Sequence, residues 1–269
     1  MPTPLATRIA AALGRRVVRE APLGGGDLGA VRRVTLDDGR TVVAKAGTGL
    51  RREARMLAAL RVAGAPTPDV LHVDDDVLVL EDVPDAGRLD AATWEDLGAV
   101  LARLHADVGT AYGWDEDAAF GDVVLANAWT DAWPRFWAER RLAAHLPHLP
   151  PDLAARVERL AGTLDARLPA HPPAALLHGD LWTGNVLASG GRVTALIDPA
   201  AYRGHGEVDL AMLHLFGRPG PTLDAAYGAP PDAGERRPIY QLEPALVHLR
   251  LFGPGYRGLV DRLLRMTGV

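Results

Sequence analysis

The most informative segment of the sequence is His178-Gly179-Asp180-Leu181-Trp182-Thr183-Gly184-Asn185. Apolar residues follow it on both sides of Ser189-Gly190-Gly191, and this pattern predicts a short β-hairpin within residues 185–198. The hairpin ends at Asp198. Two paired strands therefore join a loop that carries an aspartate and an asparagine to a second aspartate, and we expect these three polar side chains to act together.

The three side chains are of the types that phosphoryl transfer from ATP requires. Their order and spacing match the catalytic loop of kinases, where a carboxylate accepts or orients the proton of the acceptor hydroxyl. Asp180 is predicted to be that catalytic base, while Asn185 and Asp198 offer the hard oxygen ligands that suit Mg²⁺. Taken singly, each could instead satisfy a turn, as Asp and Asn beside Gly commonly do. The combined spacing favours the catalytic interpretation.

A second candidate pair lies in the N-terminal half. Lys45 is the only lysine in the chain and stands near the end of a strand predicted over residues 40–46. Glu53 shares the apolar face of a helix predicted over residues 51–62, where a carboxylate needs a partner. In kinases such a pair holds the lysine against the ATP phosphates. The alternatives are a solvated strand lysine and a Glu53 that bonds Arg52 or solvent.

Two weaker motifs would complete a nucleotide site. Gly24, Gly25 and Gly26 precede the first hairpin, where backbone N–H groups could approach phosphate oxygens, although a glycine run is often only a flexible turn. Glu81 and Val83 end the last strand of the N-terminal half, where adenine would bind through backbone hydrogen bonds. An ordinary linker is the alternative for that position.

Further candidates surround the catalytic motif. Trp182 lies within it, and His205 and Glu207 in the polar segment after Asp198 could face the substrate. Asp209 could brace the catalytic loop through backbone hydrogen bonds. Capping of the following helix is an equal alternative for Glu207 and Asp209.

The order of elements predicts the fold class. Two strand hairpins within residues 30–46 and 70–81 surround one helix, and the pattern becomes helical from residue 93, where Thr93-x-x-Asp96 is a predicted cap. This layout is typical of an α+β, protein-kinase-like bilobal fold. We expect a β-rich, ATP-binding N-terminal lobe at residues 1–83 and a helical, catalytic and substrate-binding lobe at residues 84–269.

Composition excludes several classes of protein. The 269 residues include 48% apolar and 23% charged side chains, which is enough to bury a sizeable core. A net charge of -5 without a long basic run argues against a nucleic-acid partner. The chain has no cysteine, so neither a disulfide-linked dimer nor a thiolate metal site can form. Short apolar runs and the lack of a signal peptide predict a cytoplasmic enzyme without a membrane partner, and we expect a monomer.

With these residues identified, the chain resembles the fructosamine and ketosamine 3-kinase family, relatives of the aminoglycoside phosphotransferases within the protein-kinase-like fold. The resemblance lies in residues 178–185, 198–212, 112–142 and 240–256, which cover most of the C-terminal lobe. It implies Asp180 as the base, Asn185 and Asp198 as metal ligands and Lys45 with Glu53 as the phosphate-positioning pair. The implied substrates are small ketoamines, such as fructosamines or ribulosamines, or glycated proteins. Phosphorylation of their sugar 3-hydroxyl would make the adduct labile, which is a deglycation activity.

The chain departs from the family pattern at two places, and two other functions compete. Some relatives carry a cysteine for redox-dependent dimerisation where this chain has Gly26-Asp27-Leu28, so that switch cannot operate. Arg203 and Gly206 replace an expected Tyr and Arg beside the substrate. Phosphotransfer to an aminoglycoside, choline or homoserine is one competing function. The other is a catalytically silent pseudokinase, which the complete set of catalytic residues does not favour.

Overall fold

The N-terminal part of the chain forms an antiparallel sheet behind helix α1 (Leu5–Leu13). The computed structural model describes residues 5–23 and 30–269. The strands of the sheet are β1 (Val17–Pro22), β2 (Ala30–Leu36), β3 (Thr41–Ala46), β4 (Val70–Val73) and β5 (Leu78–Glu81). Their order across the sheet is β1-β2-β3-β5-β4. Both hairpins predicted for this half of the chain are confirmed, since β2 pairs with β3 and β4 pairs with β5.

Helix α2 (Leu50–Val62) connects this sheet to the rest of the molecule. Leu50 and Leu57 pack with Leu78 and Leu80 of β5 in one apolar cluster. Met56 and Leu60 belong instead to a cluster built mainly from the C-terminal half. Because both sides of the helix are packed, residues between these contacts have a fixed orientation.

The C-terminal part is mainly helical, with short strands between the helices. Its elements are α3 (Ala91–His105), β6 (Val108–Gly109), β7 (Ala118–Phe120), β8 (Val123–Leu125), α4 (Trp133–Phe136), α5 (Pro151–Ala161), β9 (Ala174–Leu177), β10 (Val186–Ser189), β11 (Arg192–Leu196), β12 (Tyr202–Gly204), α6 (Glu207–Phe216), α7 (Gly220–Tyr227), α8 (Ala233–Phe252) and α9 (Arg257–Met266). A π-helical turn and a 3-10 segment extend α4 as far as His148. The predicted α+β class is confirmed. The division between residues 83 and 84 stays a prediction.

The cap of α3 differs from the sequence-based prediction. Asp90, in an extended conformation, is the N-cap residue, and its carboxylate accepts a hydrogen bond of 2.9 Å from the Thr93 backbone N–H. Asp96 is not part of the cap, because its carboxylate accepts a bond of 2.9 Å from the backbone N–H of Val193 in β11. The predicted Thr93-x-x-Asp96 cap was therefore wrong. Asp96 instead attaches the β10–β11 hairpin to α3.

Apolar contacts with α3 also hold the β10–β11 hairpin in place. Leu97 and Leu101 of α3 share a buried cluster with Leu181, Val186 and Leu196. The catalytic motif therefore stands on a packed core rather than on a free loop. In the described part of the chain, no helix has the length and apolar character needed to cross a membrane.

Candidate active site

A cavity of about 840 Å³ lies where the N-terminal sheet, the catalytic loop, the β7–β8 hairpin and α8 meet. The side chains singled out for catalysis all line it: Lys45, Glu53, Asp180, Asn185 and Asp198. Residues up to 153 positions apart in the sequence thus meet at one site.

Lys45 is held between two carboxylates. Its Nζ donates a hydrogen bond of 2.5 Å to Glu53 Oε1 and a second bond to Asp198 Oδ1. Only 12% of the lysine side chain is exposed. Burial disfavours the ammonium, but Glu53 and Asp198 outweigh that effect and raise the pKa of Lys45. The cation is therefore fixed in the cavity, and an ammonium with three donors keeps one for a further ligand.

The catalytic loop orients Asp180 and Asn185 towards each other. Asn185 Nδ2 donates to the Asp180 carbonyl oxygen at 2.7 Å and to Asp180 Oδ2 at 3.1 Å. Burial raises the pKa of the Asp180 carboxyl to about 7; the Asn185 hydrogen bond opposes this shift and the nearby Asp198 charge adds to it. Because the amide nitrogen of Asn185 is committed to Asp180, its Oδ1 remains the acceptor for another group.

Asp198 occupies a strained turn between β11 and the next segment. Its φ of 55° makes it the non-glycine residue with a left-handed backbone among those described. The chain is held on either side, because Ile197 N donates to Asn185 O at 3.1 Å and Ala200 N donates to His178 O at 2.9 Å. Aspartate tolerates this conformation better than most residues, and strain of this kind persists where the surroundings impose it.

Asp209 supports the catalytic loop from beneath. Its Oδ2 accepts a bond of 2.8 Å from His178 N, and its Oδ1 accepts one of 3.0 Å from Gly179 N. His105 Nε2 lies 3.1 Å from Oδ2. Burial alone would favour the neutral acid, but the hydrogen bond and charge of His105 hold the pKa of Asp209 below its ordinary value. His105 is the last residue of α3 and was not among the residues singled out from the sequence.

The donor set of the cavity fits a magnesium ion bound together with a nucleotide. Asp198 and Asn185 present a carboxylate and an amide oxygen to the same cavity, and both are hard ligands. Within residues 5–23 and 30–269, no group of three or more His, Cys, Asp or Glu side chains is arranged to hold a metal ion. Mg²⁺ at kinase sites commonly takes only one or two protein oxygens and completes its shell with phosphates and water.

Four of the remaining candidates lie away from this cavity. His205 Nδ1 lies 2.8 Å from the Tyr240 hydroxyl, and Glu207 forms a bidentate pair with Arg236 at 2.6 and 2.8 Å. Neither residue lines the cavity, and their contact with the substrate stays a prediction. Glu81 ends β5 and Val83 lies two residues beyond it; neither lines the cavity, so their contact with adenine stays a prediction.

The glycine run and Trp182 are the last of the predicted site residues. Gly24, Gly25 and Gly26 fall outside the described residues. Trp182 lines the cavity with 37% of its surface exposed, and its ring covers Gly184. A Cβ on Gly184 would lie 2.2 Å from that ring, so only glycine permits this arrangement.

Sequence reasoning missed one whole wall of the cavity. This wall is formed by Glu243 of α8 and by an aromatic cluster of Phe216, His248, Phe252 and Tyr256. A signal for Glu243 existed, because it follows Tyr240 and precedes Val247 on a buried helix face. The same kind of signal, a lone carboxylate on an apolar face, identified Glu53.

Comparisons with known proteins agree with this geometry. The fructosamine kinase family model matches residues 6–267. A Synechocystis protein named a probable ketoamine kinase is 36% identical over 78% of this chain and 74% of its own length. A Thermobifida fusca structure, provisionally described as a fructosamine-3-kinase, is 34% identical with a TM-score of 0.87 over 98% of both chains.

A more distant structure bears on the fold alone. An aminoglycoside phosphotransferase has a TM-score of 0.67 at 19% identity, over 99% of this chain and 95% of its own. The predicted protein-kinase-like fold is confirmed. From the family match across almost the whole chain, this protein belongs to the fructosamine kinase family.

Proposed function

We propose that the protein is an ATP- and Mg²⁺-dependent kinase that phosphorylates the 3-hydroxyl of ketoamines. The observation that carries the proposal is the meeting of Asp180, Asn185, Asp198 and the Lys45–Glu53 pair in one cavity of a fructosamine kinase family member. Relatives named ketoamine kinases support the acceptor class. The monomeric state and the cytoplasmic location stay predictions.

The nucleotide would be held by the Lys45 side of the cavity. Glu53 and Asp198 fix the ammonium, whose remaining donor is free to bind a phosphate oxygen. Asn185 and Asp198 would hold Mg²⁺, which supplies charge neutralisation at the nucleotide phosphates. Asp198 thus belongs both to the Lys45 ion pair and to the proposed Mg²⁺ ligands. Its constrained backbone would fix the lysine and the metal site relative to each other.

The acceptor hydroxyl would bind at Asp180. Asp180 accepts the hydroxyl proton as the sugar oxygen bonds to the γ-phosphorus; the bond to the bridging oxygen breaks and ADP leaves. Asn185 holds the carboxylate through Oδ2, and Asp209 holds the backbone of the same loop. Positioning of this kind supplies most of the catalysis in phosphoryl transfer.

A panel of acceptors tests the proposal. ADP release is measured with Mg²⁺ and ATP for a fructosamine, a ribulosamine and an aminoglycoside, with Asp180→Asn as the blank. Turnover on the ketoamines should depend on Asp180 and fall by roughly a hundredfold or more in the variant. Release of the free amine from the phosphorylated product would extend the proposal to deglycation.

Each alternative function predicts a different outcome of the panel. Turnover on the aminoglycoside alone would make the protein an antibiotic-type phosphotransferase, which the shared fold would permit. Absence of Mg²⁺-dependent nucleotide binding in calorimetry would support the pseudokinase. Near-normal turnover in Asp180→Asn would show that Asp180 is not the base.

A further inference from the structure

Glu243 is an acidic residue of the cavity that the proposed phosphoryl transfer does not use. It lies in α8 and lines the same cavity as Asp180. Its Oε1 is buried and receives no hydrogen bond from any residue that the structure describes. A buried acceptor without a donor is unfavourable, so such a group in a cavity requires an explanation.

Arg141, the cation whose charge acts on Glu243, does not give it a hydrogen bond. Burial raises the pKa of Glu243 to about 7, and only the charge of Arg141 opposes this shift. The Arg141 guanidinium donates to Asn127 Oδ1 at 2.6 Å and to Ala126 O at 2.9 Å, and it stacks on the Tyr202 ring at 4.3 Å. Arg141 therefore helps to keep a carboxylate there but gives it no hydrogen bond. A ligand with a cationic donor would supply both a positive charge beside Glu243 and a hydrogen bond to its Oε1.

The position of Glu243 matches the chemistry of a ketoamine. Glu243 and Asp180 line one and the same cavity. In a ketoamine, a few bonds separate the amine nitrogen from the 3-hydroxyl, and a secondary amine is protonated near neutral pH. A substrate whose hydroxyl lies at Asp180 therefore has its ammonium within the cavity that Glu243 also lines.

The aromatic cluster that lines the cavity together with Glu243 can also bind the ammonium of a ketoamine. His248 lies 4.6 Å from the ring of Phe216 and 5.0 Å from that of Tyr256, and Phe252 lies 5.9 Å from Tyr256. Aromatic faces attract cations and also accept the apolar substituent that an amine carries. The ring cluster and the carboxylate are independent features, and both favour an organic ammonium.

We propose that Glu243 binds the protonated amine of the acceptor and makes the enzyme selective for amine-linked ketoses over uncharged ones. The proposal rests on the proposed ketoamine kinase function and adds a specificity-determining residue to it. The substituent on the amine lies along the aromatic cluster.

A matched pair of acceptors isolates the charge. An N-alkyl fructosamine is compared with the 1-O-alkyl fructose ether of the same alkyl group, and kcat and KM are measured separately. The proteins are the wild type, Glu243→Gln, Glu243→Asp and, as a control, Glu235→Gln, an exposed position at the start of the same helix. Thermal unfolding and ADP affinity check that each variant is folded.

The wild type should prefer the fructosamine. Glu243→Gln should lower kcat/KM for that acceptor by roughly tenfold to a hundredfold, mainly through KM, because a charge-assisted hydrogen bond is lost. The ether should be little affected, so the preference collapses. Glu243→Asp keeps the charge and should retain part of the preference, while Glu235→Gln should match the wild type.

The outcomes separate this proposal from the function on which it rests. A wild type that phosphorylates neither acceptor overturns both. Equal use of both acceptors by the wild type, or an unchanged preference in Glu243→Gln, overturns only the role of Glu243. Loss of the preference in both Glu243 variants would show that side-chain shape, not charge, matters and would also overturn the pairing.

Discussion

Gly179, between His178 and Asp180, provides a sensitive test of how the catalytic loop is held. Its φ is +80°, and a Cβ at this position would lie 2.1 Å from the carbonyl oxygen of Ala200. Gly190, in the turn between β10 and β11, also has a positive φ of +62°, but a Cβ there would have no atom within 4 Å. The two glycines share the backbone conformation and differ in the contact, so Gly190→Ala is the matched control for Gly179→Ala.

The expected cost of each substitution follows from these contacts. A left-handed backbone costs an alanine about 1–2 kcal/mol, and this penalty applies to both variants. Only Gly179→Ala must also displace the chain at Ala200, and overpacking of that kind adds about 1–3 kcal/mol. Gly179→Ala should therefore reduce the free energy of unfolding by about 1–3 kcal/mol more than Gly190→Ala does.

The assay combines urea unfolding with kinase kinetics. Because Gly179 N also donates to Asp209, the displaced loop should lower kcat for the ketoamine by roughly tenfold to a hundredfold in Gly179→Ala. Gly190→Ala should keep kcat near the wild-type value. Equal losses of stability in the two variants, or normal turnover in Gly179→Ala, would refute the account of the loop.

Three further predictions concern charged and titrating groups. Lys45→Met leaves Glu53 and Asp198 without their cation, so kcat/KM should fall by roughly a hundredfold or more; a loss below about threefold in steady-state assays would contradict the phosphate-binding role. Asp209→Asn replaces one carboxylate oxygen by an NH2 group that faces a backbone N–H of His178 or Gly179. Urea unfolding should show that the free energy of unfolding falls by about 2–4 kcal/mol, and a fall below about 1 kcal/mol would mean that the loop is held by other contacts. Burial lowers the pKa of His205 to about 4. The imidazole therefore stays neutral in the native state, while in the unfolded chain it takes up a proton below about pH 6.5. The free energy of unfolding should fall as the pH drops from about 6.5 to 4, by up to about 1.4 kcal/mol per pH unit. His205→Asn should flatten that decline in urea unfolding at pH 7 and pH 5, and an unchanged slope would locate the titration elsewhere.

Local signals explain what the sequence could predict. The β2–β3, β4–β5 and β10–β11 hairpins each join neighbouring segments through short turns, so their pattern is visible in one stretch of sequence. The residues of the catalytic motif likewise lie within one segment, residues 178–198, so their types and spacing are visible in the sequence. The Lys45–Glu53 contact spans only eight residues and followed from a carboxylate on an apolar helix face.

Features that depend on distant segments could not be predicted. Strand β9 is a short apolar run that pairs with β6 and β12, and neither partner has a strong strand pattern of its own. His205 and Glu207 stand in a polar segment that suggested substrate contact, but their partners Tyr240 and Arg236 come from α8. A sequence shows that a polar side chain needs a partner but does not show which element brings it.

The most direct test of the central claim is the position of the transferred phosphate. Wild-type protein is incubated with Mg²⁺, ATP and a fructosamine, and the product is analysed by phosphorus–proton correlation NMR, with Asp180→Asn as the control. We expect a new phosphate signal that correlates with the proton on C3 of the sugar and does not form with the variant. A phosphate on another carbon, or a product that forms equally well with Asp180→Asn, would contradict it.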